Sequence, residues 1–123
     1  MKYLILIYSN PKSRALWDRL SEAERNELAR GHFALTESLA ASGELVASEG
    51  LPDPSEGKRV SVREGRTITT DGPFPEAKEY LAGFYLIECE SIERAIEHAA
   101  RVPDAAHGEV EVRPVLDFSA MDL

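Results

Sequence analysis

Two hydrophobic periods alternate along the chain, one of two residues and one of 3.6, and they divide it into strands and helices. Lys2 to Tyr8 is a short apolar, β-rich run that predicts a central strand, broken by Ser9-Asn10-Pro11. A short helical piece is expected over Ser13 to Leu20. Ser21 followed three residues later by Glu24 has the capping-box pattern and opens a long helix, expected to end near Ala41 before Gly43. On a helical wheel His32, Leu35 and Leu39 fall within about 40° of Leu28, which puts His32 inside an apolar stripe. Glu44 to Leu51 reads as a second strand and Pro52 to Gly57 as a loop. Arg59 to Arg63 and Arg66 to Thr70 flank Glu64-Gly65, the spacing of a two-residue hairpin. After a loop over Asp71 to Glu79, Ala82 to Glu90 is again apolar and strand-like. Ser91 is placed to cap a helix over Ile92 to Arg101, with Ile92, Ala95, Ile96 and Ala99 on its inner face and Pro103 as its stop. Glu109 to Leu116 alternates Val110 and Val112 with charged neighbours, a half-buried last strand. Ser119 to Leu123 is expected to form a loose tail.

The resulting order is β-α-β, a hairpin, then β-α-β. It predicts one α+β domain over residues 1–118, a ferredoxin-like (split βαβ) sandwich with an inserted β-hairpin. Helices would cover one face of a mainly antiparallel sheet. Leu4 to Ile7 and Phe84 to Ile87 are apolar on both faces, so a second copy of the chain is expected to cover the other, giving a homodimer.

The chain has 123 residues, 43% hydrophobic and 29% charged, which fits a globular domain with one core. Its net charge of -8 and lack of any basic run oppose a nucleic-acid or anionic-membrane surface. The lone cysteine, Cys89, lies in an apolar run and is expected to be a buried reduced thiol. Met1 to Tyr8 is too short for a signal segment or a membrane span, so a cytoplasmic protein is expected.

Two features could carry chemistry. His32 is an ionisable group on an apolar helix face, where it needs a partner and could act as a general acid or base. Asp71-Gly72-Pro73-Phe74 is a run of constrained turn residues that can hold a carboxylate and an aromatic ring in fixed places. His32 and Asp71 are therefore the expected acid–base pair, and Phe74, Lys78 and Tyr85 the expected ligand contacts. His98 falls off the apolar face of its helix and is expected in solvent. His107, before Gly108, reads as a turn residue within reach of a site at the sheet's end. No local HxH, HxxxH or cysteine pair gathers metal ligands, and no phosphate loop or nucleophile elbow is present, so neither metal nor cofactor is expected.

The run Asp71-Gly72-Pro73-Phe74-Pro75-Glu76-Ala77-Lys78-Glu79, followed by Gly83-Phe84-Tyr85, closely resembles the signature of the DGPF family, within the YCII-related group. The opening strand, Leu35-Thr36-Glu37, Gly50-Leu51 and Val110-Glu111-Val112-Arg113-Pro114 extend the resemblance over nearly the whole chain. It implies a dimeric α/β-barrel of ferredoxin-like protomers in a bacterial cytoplasm. It also implies a pocket between helix and sheet holding a His–Asp pair. The histidine would fall on His32, and its acid in the stretch after the second helix, near Asp104, whereas Asp71 belongs to the signature. The wider group includes metal-free lactone isomerases and monooxygenases, which suggests cofactor-free acid–base chemistry on a small organic molecule. Some relatives occur beside sigma factors, which suggests the alternative of a ligand-binding or regulatory module with a sigma factor as partner.

Overall fold

A computed structural model describes residues 1–74, 78–107 and 109–122. Four strands form the main sheet: β1 (Lys2–Ser9), β2 (Leu45–Gly50), β5 (Tyr80–Glu88) and β6 (Val110–Pro114). Two more, β3 (Lys58–Arg63) and β4 (Arg66–Asp71), pair only with each other as a separate hairpin. The helices are α1 (Pro11–Arg19), α2 (Glu22–Ala41) and α3 (Ile92–Ala99). The main sheet runs in the order β2-β5-β1-β6 with every pair antiparallel, so the fold is α+β as expected.

Register decides which side chains enter the core. Ile5 lies opposite Tyr85 on one side and Val112 on the other. Tyr3, Ile5, Ile7, Tyr85 and Ile87 therefore share a face, and they pack against Leu35 and Leu39 of α2 and Ala95 and Ala99 of α3. Leu4, Leu6, Phe84 and Leu86 point to the opposite face. Cys89 is a buried free thiol in the same core. No helix among the described residues is long and apolar enough to cross a membrane.

Local signals in the sequence explain most element ends. Ser21 and Glu24 close a reciprocal capping box at the start of α2. Glu64 and Gly65 both adopt positive φ, the conformation that a two-residue turn requires. Two expectations need correction. α1 starts at Pro11, because Asn10 and Ser13 cap each other and proline is tolerated in the first helical turn, where its missing N–H costs nothing. α3 is rotated from the expected face: Ala95, His98 and Ala99 are buried, while Ile92 and Ile96 are exposed. His98, expected in solvent, is only 2% exposed. Its Nε2 lies 3.1 Å from Glu44, which also accepts two hydrogen bonds from Arg94. The contact with Glu44 offsets part of the cost of burying the ring, whose two nitrogens make no hydrogen bond among the described residues.

Candidate acid–base site at His32

His32 projects from the middle of α2. Tyr85 reaches it from β5, and Asp104 from the 3-10 turn Pro103–His107 that follows α3. The His32 Nδ1 lies 2.7 Å from the Tyr85 hydroxyl, and its Nε2 lies 2.8 Å from Asp104 Oδ1. The planes of the His32 and Tyr85 rings are nearly parallel, 8° apart. Thr36 donates to the His32 backbone carbonyl at 2.9 Å, one turn back along the helix. A short, two-sided arrangement of this kind holds the imidazole in one orientation.

The turn reaches His32 because residue 31 is glycine. A Cβ at Gly31 would stand 2.8 Å from Pro103 Cγ, closer than real contacts allow. Pro103 thus rests directly on α2, and the next residue, Asp104, is delivered to the ring.

Burial pushes the Tyr85 hydroxyl pKa above its ordinary value, and the charge of Asp104 adds to the shift. The phenol therefore stays protonated at neutral pH. With Nε2–H donating to the Asp104 carboxylate, Nδ1 accepts from Tyr85; once protonated, the ring donates on both sides. Either way no hydrogen bond is lost, which suits a group that takes up and returns one proton.

His32 and Asp104 open into two cavities. The smaller, about 410 Å³, lies between α2, β2 and β5, with Thr36, Ser48, Glu49 and Tyr85 in its wall and the exposed Phe33 at its rim. The larger, about 880 Å³, lies beneath α1. His107, in the turn, lines this second cavity. Among the described residues no three of His, Cys, Asp and Glu are grouped to hold a metal ion.

The residues singled out in the sequence divide into two places. His32 and Tyr85 meet at the site. Asp71 does not join them: it ends β4, where register sets it opposite Lys58, and the two form an ion pair. The guanidinium of Arg59 lies 3.9 Å over the Phe74 ring. A Cβ at Gly72 would run into the Pro54 carbonyl oxygen, so glycine lets the hairpin base close on the Pro54–Glu56 turn. Residues 71–74 of the signature thus clasp the hairpin, whereas Gly83, Phe84 and Tyr85 line the smaller cavity; Asp71, Phe74 and the exposed Lys78 line neither cavity that contains His32. Residues 75–77 of the signature lie outside the described residues. The acid that does meet His32, Asp104, lies in the stretch that the family resemblance pointed to and spacing alone did not single out.

Comparison with known proteins agrees with that resemblance. The model of the YCII-related domain matches residues 1–119. An uncharacterised protein of Rhizobium meliloti (strain 1021), R00369, is 32% identical over 125 residues, covering all of this chain and 98% of that protein.

Proposed function

The chain belongs to the YCII-related family, and from that premise we propose that it is an enzyme performing cofactor-free acid–base chemistry on a small organic molecule. The supporting observation is the Asp104–His32–Tyr85 relay, with both contacts under 3 Å, opening into two clefts. A substrate proton passes to the Tyr85 oxygen while the tyrosine's own proton passes to His32 Nδ1. The resulting imidazolium is stabilised by Asp104, and the reverse step returns the proton to another atom of the substrate. Asp104 thereby takes the role expected of Asp71.

Deuterium wash-in at the acidic C–H positions of a panel of small ketones, lactones and enolisable acids tests this by NMR. Wild-type protein is expected to exchange at least one class about 10²–10⁴-fold faster than His32→Gln. Tyr85→Phe and Asp104→Asn should fall between. Equal exchange by wild type and His32→Gln would sink the reading. The regulatory alternative differs in outcome: a sigma factor would be captured equally by wild type and His32→Gln.

The finer architecture belongs to the same proposal. The antiparallel order β2-β5-β1-β6 supports a ferredoxin-like protomer with an inserted hairpin. Leu4, Leu6, Phe84 and Leu86 on the helix-free face support pairing with a second copy into a dimeric α/β-barrel. The free, buried Cys89 supports a reducing, cytoplasmic setting.

A further inference from the structure

The larger cavity has an unusual roof. α1 has nine residues and none of them is buried. A helix this short is marginal in water without packing. Polar latches hold it: Asn10 bonds Glu109, Arg14 pairs with Asp53, and Arg25 of α2 donates twice to the Trp17 carbonyl at its far end. Its apolar residues Leu16 and Trp17 face the cavity, as does Leu20 just beyond it, opposite Leu28 of α2 and Leu51. The roof therefore presents an apolar, partly aromatic surface to about 880 Å³ of open space. A volume of this size is typical of small-molecule sites.

Of the two arginines in the cavity wall, one lacks a carboxylate partner among the described residues. The guanidinium of Arg25 lies 5.0 Å over the Trp17 ring, and its Nε and Nη2 serve the Trp17 carbonyl. Arg14, the other arginine in the wall, is neutralised by Asp53. Arg25, in contrast, has no carboxylate within ion-pair reach among the described residues. A half-buried cation in a largely apolar cavity favours an anionic group.

Helical geometry sets the distance from this charge to the relay. Arg25 and His32 are seven residues apart on α2, hence two turns, on one face, and separated by about 10 Å of rise. Leu28 lies between them. A molecule with a carboxylate at one end and a flat apolar body spans that interval.

We propose that the cavity beneath α1 binds an aromatic monocarboxylate, its carboxylate on Arg25, its ring against Trp17 and Leu28, and its far end toward His32 and Asp104. The ligand completes the packing of α1. Only the placing of the far end rests on the relay reading; the binding does not.

Trp17 is the single tryptophan of the chain, so one indole N–H signal reports occupancy in an ¹⁵N-labelled protein. Titration with 2-naphthoate should shift that signal saturably. The neutral 2-naphthalenemethanol and the aliphatic octanoate should each bind about tenfold more weakly, the factor expected for one charge-assisted contact or for the lost ring contacts. Arg25→Gln should weaken 2-naphthoate about tenfold. Arg25→Lys, which keeps the charge but not the fork on the Trp17 carbonyl, should recover most of that loss and so separates charge from the structural role. Arg30→Gln, which removes an exposed arginine of α2 that does not line the cavity, should bind as wild type. No saturable shift, tighter binding of octanoate, or undiminished binding by Arg25→Gln would each overturn the proposal. Loss of proton exchange with binding intact would overturn the relay alone, and exchange without naphthoate binding would overturn this ligand class alone.

Discussion

Glu44 and Asp104 each lie beside a histidine, but their surroundings suit them to different tasks. Asp104 and His32 are each about one-third exposed, 38% and 32% for the side chains, so ligand and water reach both. Glu44 is only 14% exposed and is held by Arg94, Ser42 and His98. Hydrogen bonds from Arg94, chiefly, lower its pKa from 4.5 to about 2. A carboxyl depressed in the folded state stabilises the protein above its unfolded pKa and loses that contribution as pH falls through the folded value. Wild-type stability should therefore drop between about pH 4.5 and 2 by on the order of 2 kcal/mol from this group. In Glu44→Gln that part of the slope should be absent, and the protein should be weaker at neutral pH because Arg94 loses the charge it pairs with and one of two acceptor oxygens, and His98 loses its carboxylate neighbour. Urea denaturation at stepped pH measures both. An unchanged slope in Glu44→Gln would place the acid-sensitive group elsewhere.

Among the elements, the Pro103–His107 turn matters most, because its seat on α2 sets the distance from Asp104 to His32. Gly31 leaves room for Pro103, and a methyl group there must push the turn outward. Gly31→Ala is expected to gain a little helix propensity and lose more to the clash, about 1–3 kcal/mol net destabilisation by thermal or chemical melting. Its more specific effect should appear at His32, where the Nε2 contact with Asp104 lengthens and the ring's tautomer signal in long-range ¹H–¹⁵N spectra broadens or moves. A melting change with an unaltered His32 signal would show that the turn relaxes without carrying Asp104 along. The hairpin is the counterexample at this scale. Its strands are exposed along their whole length, and its order near the base comes from the Lys58–Asp71 pair, the Arg59–Phe74 stack and the close approach of Gly72 to Pro54.

At the scale of the molecule, two surfaces bear on the proposed dimer. The helix-free face of the sheet carries Leu4, Leu6, Phe84 and Leu86, and the hairpin exposes Val60, Val62 and Ile68. A two-stranded ribbon is marginal by itself. Pairing of two copies through the sheet face would bury the first surface and bring hairpins near the neighbouring chain. Light scattering should then give twice the mass of one chain, and Leu86→Glu, which places a charge at the centre of that face, should shift it toward one. A wild-type mass of one chain would refute the dimer. Neither result bears on the His32 relay, whose three residues all come from one chain.

The amino-acid sequence alone set most of the elements and their order. Caps at Ser21 and Ser91, the Glu64-Gly65 turn and the alternation around Val110 are local signals, each readable within a few residues. It also determined the family, because the signature run is long. Where a proline stood at a helix start, the local reading was off by two residues, since Pro11 permits what proline usually breaks. Partnership between side chains, in contrast, depended on the fold. His32 was visible as an ionisable group on an apolar stripe, but its acid lies 72 residues away, delivered by a turn that rests on a glycine. Asp71 had the more conspicuous motif, yet strand register gave it to Lys58. His98 likewise looked solvated until the fold brought Glu44 and Arg94 to its side. Periodicity is a property of neighbours along the chain; the pairing of charges depends on which surfaces the packed elements bring together.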